Sequence, residues 1–165
     1  MRLDSIMVYL LLGSNLGKRE EILNAAIHKI GERIGLVTKK SSFYETAAWG
    51  NEDQPSFINV ALEVETFLSP LEVLDKALYI EEELGRIRQG RWTARLIDID
   101  IVLYGDEVVD EQERLQIPHP EMQFRKFVLE PLAEIAPDGF HPKLKQTIST
   151  LLSNLNDNLA VIKVV

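Results

Sequence analysis

The chain of 165 residues contains no cysteine. That excludes a disulfide scaffold and a cysteine-based metal or redox site. It has no apolar run long enough to cross a bilayer, for which roughly 20 residues are needed. The stretch Ile6–Leu12 is far shorter and is followed by no small-residue cleavage site, so it does not read as a signal peptide. Cytoplasmic localisation without membrane contact is the expectation. Base is also scarce: 18 Lys and Arg stand against 26 Asp and Glu, a formal charge of −8. An acidic surface is a poor general binder of nucleic acid, whose affinity rests on cations neutralising phosphates. Also missing are a Walker A loop, a dinucleotide fingerprint, an HExxH helix and a nucleophile elbow.

What is present is unevenly placed. Four of the nine arginines fall between Arg86 and Arg95 with no acid among them. The 45% hydrophobic content and the length suit one domain with a real core, and residues 1–165 read as a single unit without repeat, linker or low-complexity stretch. Ile6–Leu12 reads as a buried strand that ends at a Gly13-Ser14-Asn15 turn. Arg19–Ile34 carries Ile22, Leu23, Ala26, Ile27, Ile30 and Ile34 on one helical stripe. Val37–Thr46 is enriched in strand formers, and Ala47–Ser56 is a polar loop. Phe57–Thr66 alternates, with Ile58, Val60, Leu62 and Val64 on one face. Ser69-Pro70-Leu71-Glu72 is a capping box opening a helix to about Leu84. The Arg-rich loop then leads into a strand, Leu96–Tyr104. The order β-α-β-β-α-β predicts an α+β, ferredoxin-like antiparallel sheet with helices on one face and the other face open. Beyond it come C-terminal additions: a short hairpin in Val108–Ile117, helical pieces around Pro131, a helix in Thr147–Leu155 and a last strand in Leu159–Val165.

The sharpest chemical pattern is Leu96-Ile97-Asp98-Ile99-Asp100-Ile101. In a strand the two acids share one face with Cα atoms roughly 6.6 Å apart. Paired carboxylates repel and are costly to desolvate unless a cation joins them. Mg2+ is commonly held by one or two carboxylates together with substrate phosphates. An exposed acidic face, or pairing with the neighbouring arginines, accounts for the pattern equally well. The arginine cluster that runs straight into this strand tips the balance, because planar guanidinium groups suit phosphate and Mg2+ plus Arg neutralises a polyphosphate. Phe57 and Asn59 point away from the apolar side of their strand, where an aromatic ring and an amide can stack on and hydrogen-bond a flat heterocycle. His119 lies between Pro118 and Pro120. His28 and His141 receive no role.

Together these residues resemble the 6-hydroxymethyl-7,8-dihydropterin pyrophosphokinase family of folate biosynthesis. The resemblance runs from Leu12-Gly13-Ser14-Asn15-Leu16-Gly17 to Ile135-Ala136-Pro137. It is carried by Ser42-Phe43-Tyr44-Glu45-Thr46, Asp53-Gln54-Pro55 with Phe57 and Asn59, Arg91-Trp92, Arg95, Asp98-Ile99-Asp100-Ile101, and Pro118-His119-Pro120 followed by Arg125 and Phe127. It implies a ferredoxin-like fold and transfer of pyrophosphate from ATP to the pterin hydroxymethyl, giving AMP. It implies that Asp98 and Asp100 hold two Mg2+ ions, with Arg91 and Arg95 as further catalytic residues. Glu81, Arg86, Arg88, Trp92, Ile101, Arg114, His119 and Arg125 are implied around the ATP. Thr46, Ala47, Trp49, Phe57, Asn59 and Phe127 are implied around the pterin, the two Phe rings sandwiching it. The Ala47–Ser56 and Gln89–Arg95 loops are expected to close over the substrates and exclude water. The chain departs from the family pattern at Ala47-Ala48 and Thr93-Ala94, where prolines are common, at Trp49, and at Gln116. The partners expected are the two small substrates, with the protein a monomer or at most a weak dimer. The competing readings are a non-catalytic nucleotide- or RNA-binding ferredoxin-like module and a regulatory metal-binding domain.

Overall fold

The computed structural model describes residues 2–46, 56–86, 96–157 and 159–164. A nine-residue strand, β1 (Ile6–Ser14), lies in the interior of the sheet, and its unbroken run Leu10–Leu12 is apolar because both of its faces are covered. Helix α1 (Arg19–Arg33) follows, then β2 (Leu36–Lys40), β3 (Tyr44–Thr46) and β4 (Phe57–Thr66). Helix α2 (Pro70–Arg86) leads to β5 (Asp98–Tyr104). The strand order is β5-β1-β4-β3 with β2 also on β4, every pair antiparallel, as the ferredoxin-like reading requires.

The expected strand over Val37–Thr46 is in fact two. Residues 41–43 stand against only Val60 and Ala61, one residue too many for a regular ladder. Ser41 mends the break. Its N–H donates to the Ala61 carbonyl and its hydroxyl accepts from the Ala61 N–H, both at 2.9 Å. The capping box forms as read: the Ser69 N–H donates to Glu72 and the Glu72 N–H to the Ser69 hydroxyl.

The C-terminal third supplies the hairpin β6 (Val109–Asp110) with β7 (Gln116–Ile117), then a 3-10 turn, Met122–Phe124. Helix α3 (Lys126–Ile135) continues unbroken through Pro131. A second hairpin joins β8 (Phe140–His141) and β9 (Gln146–Thr147), and α4 (Ile148–Ser153) starts on a Thr147 cap. The last strand, β10 (Val161–Lys163), pairs with β3 and extends the sheet.

These additions overturn one expectation. The second face of the sheet is not open along its length. Leu11, Ala61, Val102 and Leu103 point away from α1 and α2 and form a second core with Met122, Leu129, Leu132 and Ile148. The first core, between the sheet and α1/α2, is built from Leu10, Leu12, Leu62, Ile99 and their neighbours. A β-bulge makes this possible in β5. Tyr9 pairs with Leu103 and Leu10 with Ile101, so Val102 is the extra residue. Val102 and Leu103 therefore share a core, while Tyr104 returns to the first one and its hydroxyl donates to the Leu68 carbonyl at 2.7 Å. Among the described residues no helix is long and apolar enough to cross a membrane.

Candidate active site

The cross-strand register explains how the site is assembled. Asn59 of β4 and Asp98 of β5 both lie opposite Gly13 of β1. One pair further along the same face, Ala61 and Asp100 flank Leu11. At the end of the ladder Thr46 pairs with Phe57. These residues therefore project from one end of the second face, next to the part covered by α3 and α4. A cavity of about 220 Å³ opens there. Its floor is Leu11, Gly13, Asn59 and the two carboxylates; Thr46 and Phe57 make one wall. Arg125 and Phe127, at the start of α3, and Leu159 make the other. Sites for drug-sized ligands usually run about 300–1,000 Å³, so this is room for a small heterocycle.

Gly13 sets the position of the floor. A Cβ there would stand 2.5 Å from the Asn59 amide nitrogen. Without it, the amide lies over the β1 backbone and donates to the Leu12 carbonyl at 3.3 Å. That fixes the flip: the nitrogen faces the backbone, and the oxygen is left without a donor among the described residues. The Thr46 hydroxyl is likewise buried and without a partner among the described residues. Buried polar atoms in that condition cost free energy unless something completes them. Both belong to residues lining a cavity that also carries two aromatic side chains, which suits a planar ligand with a polar edge.

Asp98 is half-buried and Asp100 exposed, on the same face as read. The main-chain N–H between them, that of Ile99, donates to the Glu81 carboxylate at 2.6 Å. Glu81 of α2 thus anchors the free edge of β5 where it carries the acids. The described residues hold no group of three or more His, Asp or Glu side chains suited to a cation. A cation at this pair would complete its shell with water and phosphate oxygens, the usual arrangement for Mg2+. The donor set fits such an ion.

His119 stands beside the acids. Its N–H donates to the Val102 carbonyl, and its Nδ1 accepts from the Glu121 N–H at 3.1 Å. The neutral ring therefore carries its proton on Nε2. Burial pushes its pKa down; Asp100 pulls it back and Arg125 pushes it further down. The Arg125 guanidinium lies 5.7 Å from the centre of the Phe127 ring, so a cation and an aromatic face are presented together.

The other expected residues divide into three groups. Arg88, Arg91, Trp92, Arg95, Ala47 and Trp49 lie outside the described residues, as do residues 47–55 and 89–95 of the two expected loops. Arg86 is the last residue of α2. Ile101 is buried in the first core, and Arg114 is engaged with Asp75 of α2 at 2.6 Å on the surface, so neither lines the cavity. Sequence reasoning missed three linings. Gly13 reads as part of a turn in the sequence, although a glycine within a strand often marks close backbone approach. Leu11 read only as core, and Leu159 carries no signal of its own. His141, given no role, accepts the Lys143 and Leu144 N–H groups in its turn.

Residues 9–137 match the family described as 7,8-dihydro-6-hydroxymethylpterin-pyrophosphokinase. A curated relative from Haemophilus influenzae, named 2-amino-4-hydroxy-6-hydroxymethyldihydropteridine pyrophosphokinase, is 44% identical over 93% of this chain and 95% of its own. One of the same name from Bacillus subtilis is 48% identical over 78% of this chain and 77% of its own. The fold is similar to that in a crystal structure of wild-type Plasmodium falciparum HPPK-DHPS, at a TM-score of 0.75 and 19% identity, over 91% of this chain but 44% of the other. With two carboxylates, an amide held against the β1 backbone and two aromatic side chains around one cavity in the matched region, the chain belongs to the 7,8-dihydro-6-hydroxymethylpterin-pyrophosphokinase family.

Proposed function

We propose that the chain performs its family's reaction at this cavity and that the reaction depends on Mg2+. The pterin hydroxymethyl oxygen attacks the β-phosphorus of ATP and gives up its proton to solvent, the bond from that phosphorus to the α–β bridging oxygen breaks, and AMP leaves with the bridging oxygen. The observation that carries the residue assignment is a pair of buried atoms without a partner among the described residues, Asn59 Oδ1 and Thr46 Oγ1, beside Phe57 and Phe127. A pterin ring held between the two Phe side chains would offer its N–H edge to Asn59, and a ligand lacking that edge would leave the amide unsatisfied.

Asp98 and Asp100 would hold two Mg2+ ions, which when bound neutralise phosphate charge and stabilise the entering and leaving oxygens. Glu81 keeps the strand edge carrying both acids in place through Ile99. Arg125 reaches the cavity with a permanent charge for phosphate. His119 would donate from Nε2 to a phosphate oxygen. Arg86, Arg88, Arg91 and Arg95 would complete the phosphate shell, with Trp92, Ile101 and Arg114 toward the nucleotide and Ala47 and Trp49 toward the pterin. The family reading and the concave acidic floor both speak against an RNA-binding sheet, which presents exposed aromatics on an open face.

The test mixes protein, MgATP and the reduced pterin alcohol. AMP with pterin pyrophosphate is the expected product pair; ADP, or no turnover, refutes the reading. Asp98→Asn and Asp100→Asn should each lower turnover by at least about 100-fold, the scale of losing a preorganised electrostatic stabiliser, with circular dichroism unchanged. A variant that stays active would remove the metal assignment.

A further inference from the structure

Directly behind the cavity, on the helix side of the sheet, the Arg19 guanidinium gathers three acceptors through one nitrogen. Its Nη1 donates to Glu45 Oε2 at 3.0 Å, to the Ser56 carbonyl at 2.8 Å and to the Ser56 hydroxyl oxygen at 2.8 Å. The Ser56 hydroxyl in turn donates to Glu45. None of the three residues lines the cavity. Their place in the chain gives the network its meaning. Glu45 immediately precedes Thr46, and Ser56 immediately precedes Phe57; Thr46 and Phe57 are the last pair of the β3–β4 ladder. Strand alternation turns Glu45 toward α1 and Thr46 toward the cavity. Arg19 itself opens α1. One side chain therefore ties together the ends of two strands and the start of a helix, at the point where those strands put a hydroxyl and a ring into the site.

We infer that Arg19 is a positioning residue for the pterin wall: with Glu45 and Ser56 it fixes the spacing of the two strand ends, and so the placement of the Thr46 hydroxyl and the Phe57 ring. The charged arrangement also holds the Glu45 carboxyl below its ordinary range, through the Ser56 hydroxyl first and Arg19 next. The inference rests on the assignment of Phe57 and Thr46 to the pterin.

The test measures Kd for the pterin alcohol and, separately, for MgATP by calorimetry in Arg19→Ala, Arg19→Lys, the double variant Arg19→Ala/Glu45→Ala, and Phe57→Ala. Arg19→Ala should weaken pterin binding about tenfold, the scale of one charge-assisted hydrogen bond, with MgATP affinity within about twofold of the parent. Arg19→Lys should recover part of the loss, and the double variant should bind no worse than Arg19→Ala, because the two side chains act as one unit. Unchanged pterin affinity in Arg19→Ala while Phe57→Ala loses it overturns the positioning role alone. Unchanged affinity in both variants overturns the pterin wall and the positioning role with it. Equal losses for pterin and MgATP, with no recovery in Arg19→Lys, reduce Arg19 to a general structural support and also overturn it.

Discussion

Gly13 shows how much of the site rests on an atom that is not there. A methyl group at this position would meet the Asn59 amide at 2.5 Å and push it off the β1 backbone. Gly13→Ala should cost about 1–3 kcal/mol, as overpacking does, and weaken pterin binding while leaving MgATP binding close to the parent. Thermal melts and separate titrations of the two ligands check both parts; unchanged pterin affinity would disprove the amide's role. Phe127 provides the complementary test from the opposite wall: Phe127→Ala should raise the pterin Kd about tenfold, within the range of one stacking contact plus its buried area. Equal loss of MgATP affinity would remove its stacking role. At this scale the sequence was informative where chemistry is local. Asp98 and Asp100 share a face because a strand alternates, and Phe57 and Asn59 lie on the opposite face from Ile58 for the same reason. Leu159 joins the cavity only because β10 returns to β3 across more than a hundred residues, a contact that no local pattern encodes.

Between elements, the two helices on the first face are braced by one acid. Glu83 of α2 accepts from Arg33 at 2.6 Å and pairs with Lys29 at 3.0 Å, both on α1, and the Arg33 guanidinium also lies over the Tyr79 ring. Hydrogen bonds from Arg33, then Lys29, hold the Glu83 carboxyl down from 4.5 to about 2. A carboxyl depressed by folding stabilises the native state above its unfolded pKa, and that contribution fades as pH falls through the folded value. Denaturant midpoints of the parent and Glu83→Gln should therefore differ at neutral pH and converge between pH 4.5 and 2. The difference should also shrink in high salt, since the pair is partly exposed. A constant difference across that window would contradict the brace. Element order and type were legible because hydrophobic period and capping residues are short-range signals. The split of β2 from β3 was not, because it depends on Ser41 finding Ala61 on another strand. Nor was the cover provided by α3, whose apolar side shows its partner only once the bulge in β5 has turned Val102 and Leu103 toward it.

For the whole molecule, the two cores are the two faces of one sheet. Loss of either cover would expose an apolar face of the sheet that both share. We therefore expect residues 1–165 to behave as one cooperative unit, with a single calorimetric transition whose van't Hoff and calorimetric enthalpies agree. Two resolved transitions would show the C-terminal additions to be a separate domain. The acidic total of −8 also takes a local meaning at this scale. Much of the surface repels phosphate, while Arg125 brings a positive charge to the cavity that holds the carboxylate pair. The two carboxylates also bear on assembly of the fold. A one-residue slip of β5 against β1 would exchange its faces and drive Asp98 and Asp100 under α1 and α2, among Leu10, Leu12 and Ile80. Burying two carboxylates among those apolar side chains would be prohibitive. The two acids thus act as a proofreader of strand registration, rejecting the misaligned sheet before any substrate is present.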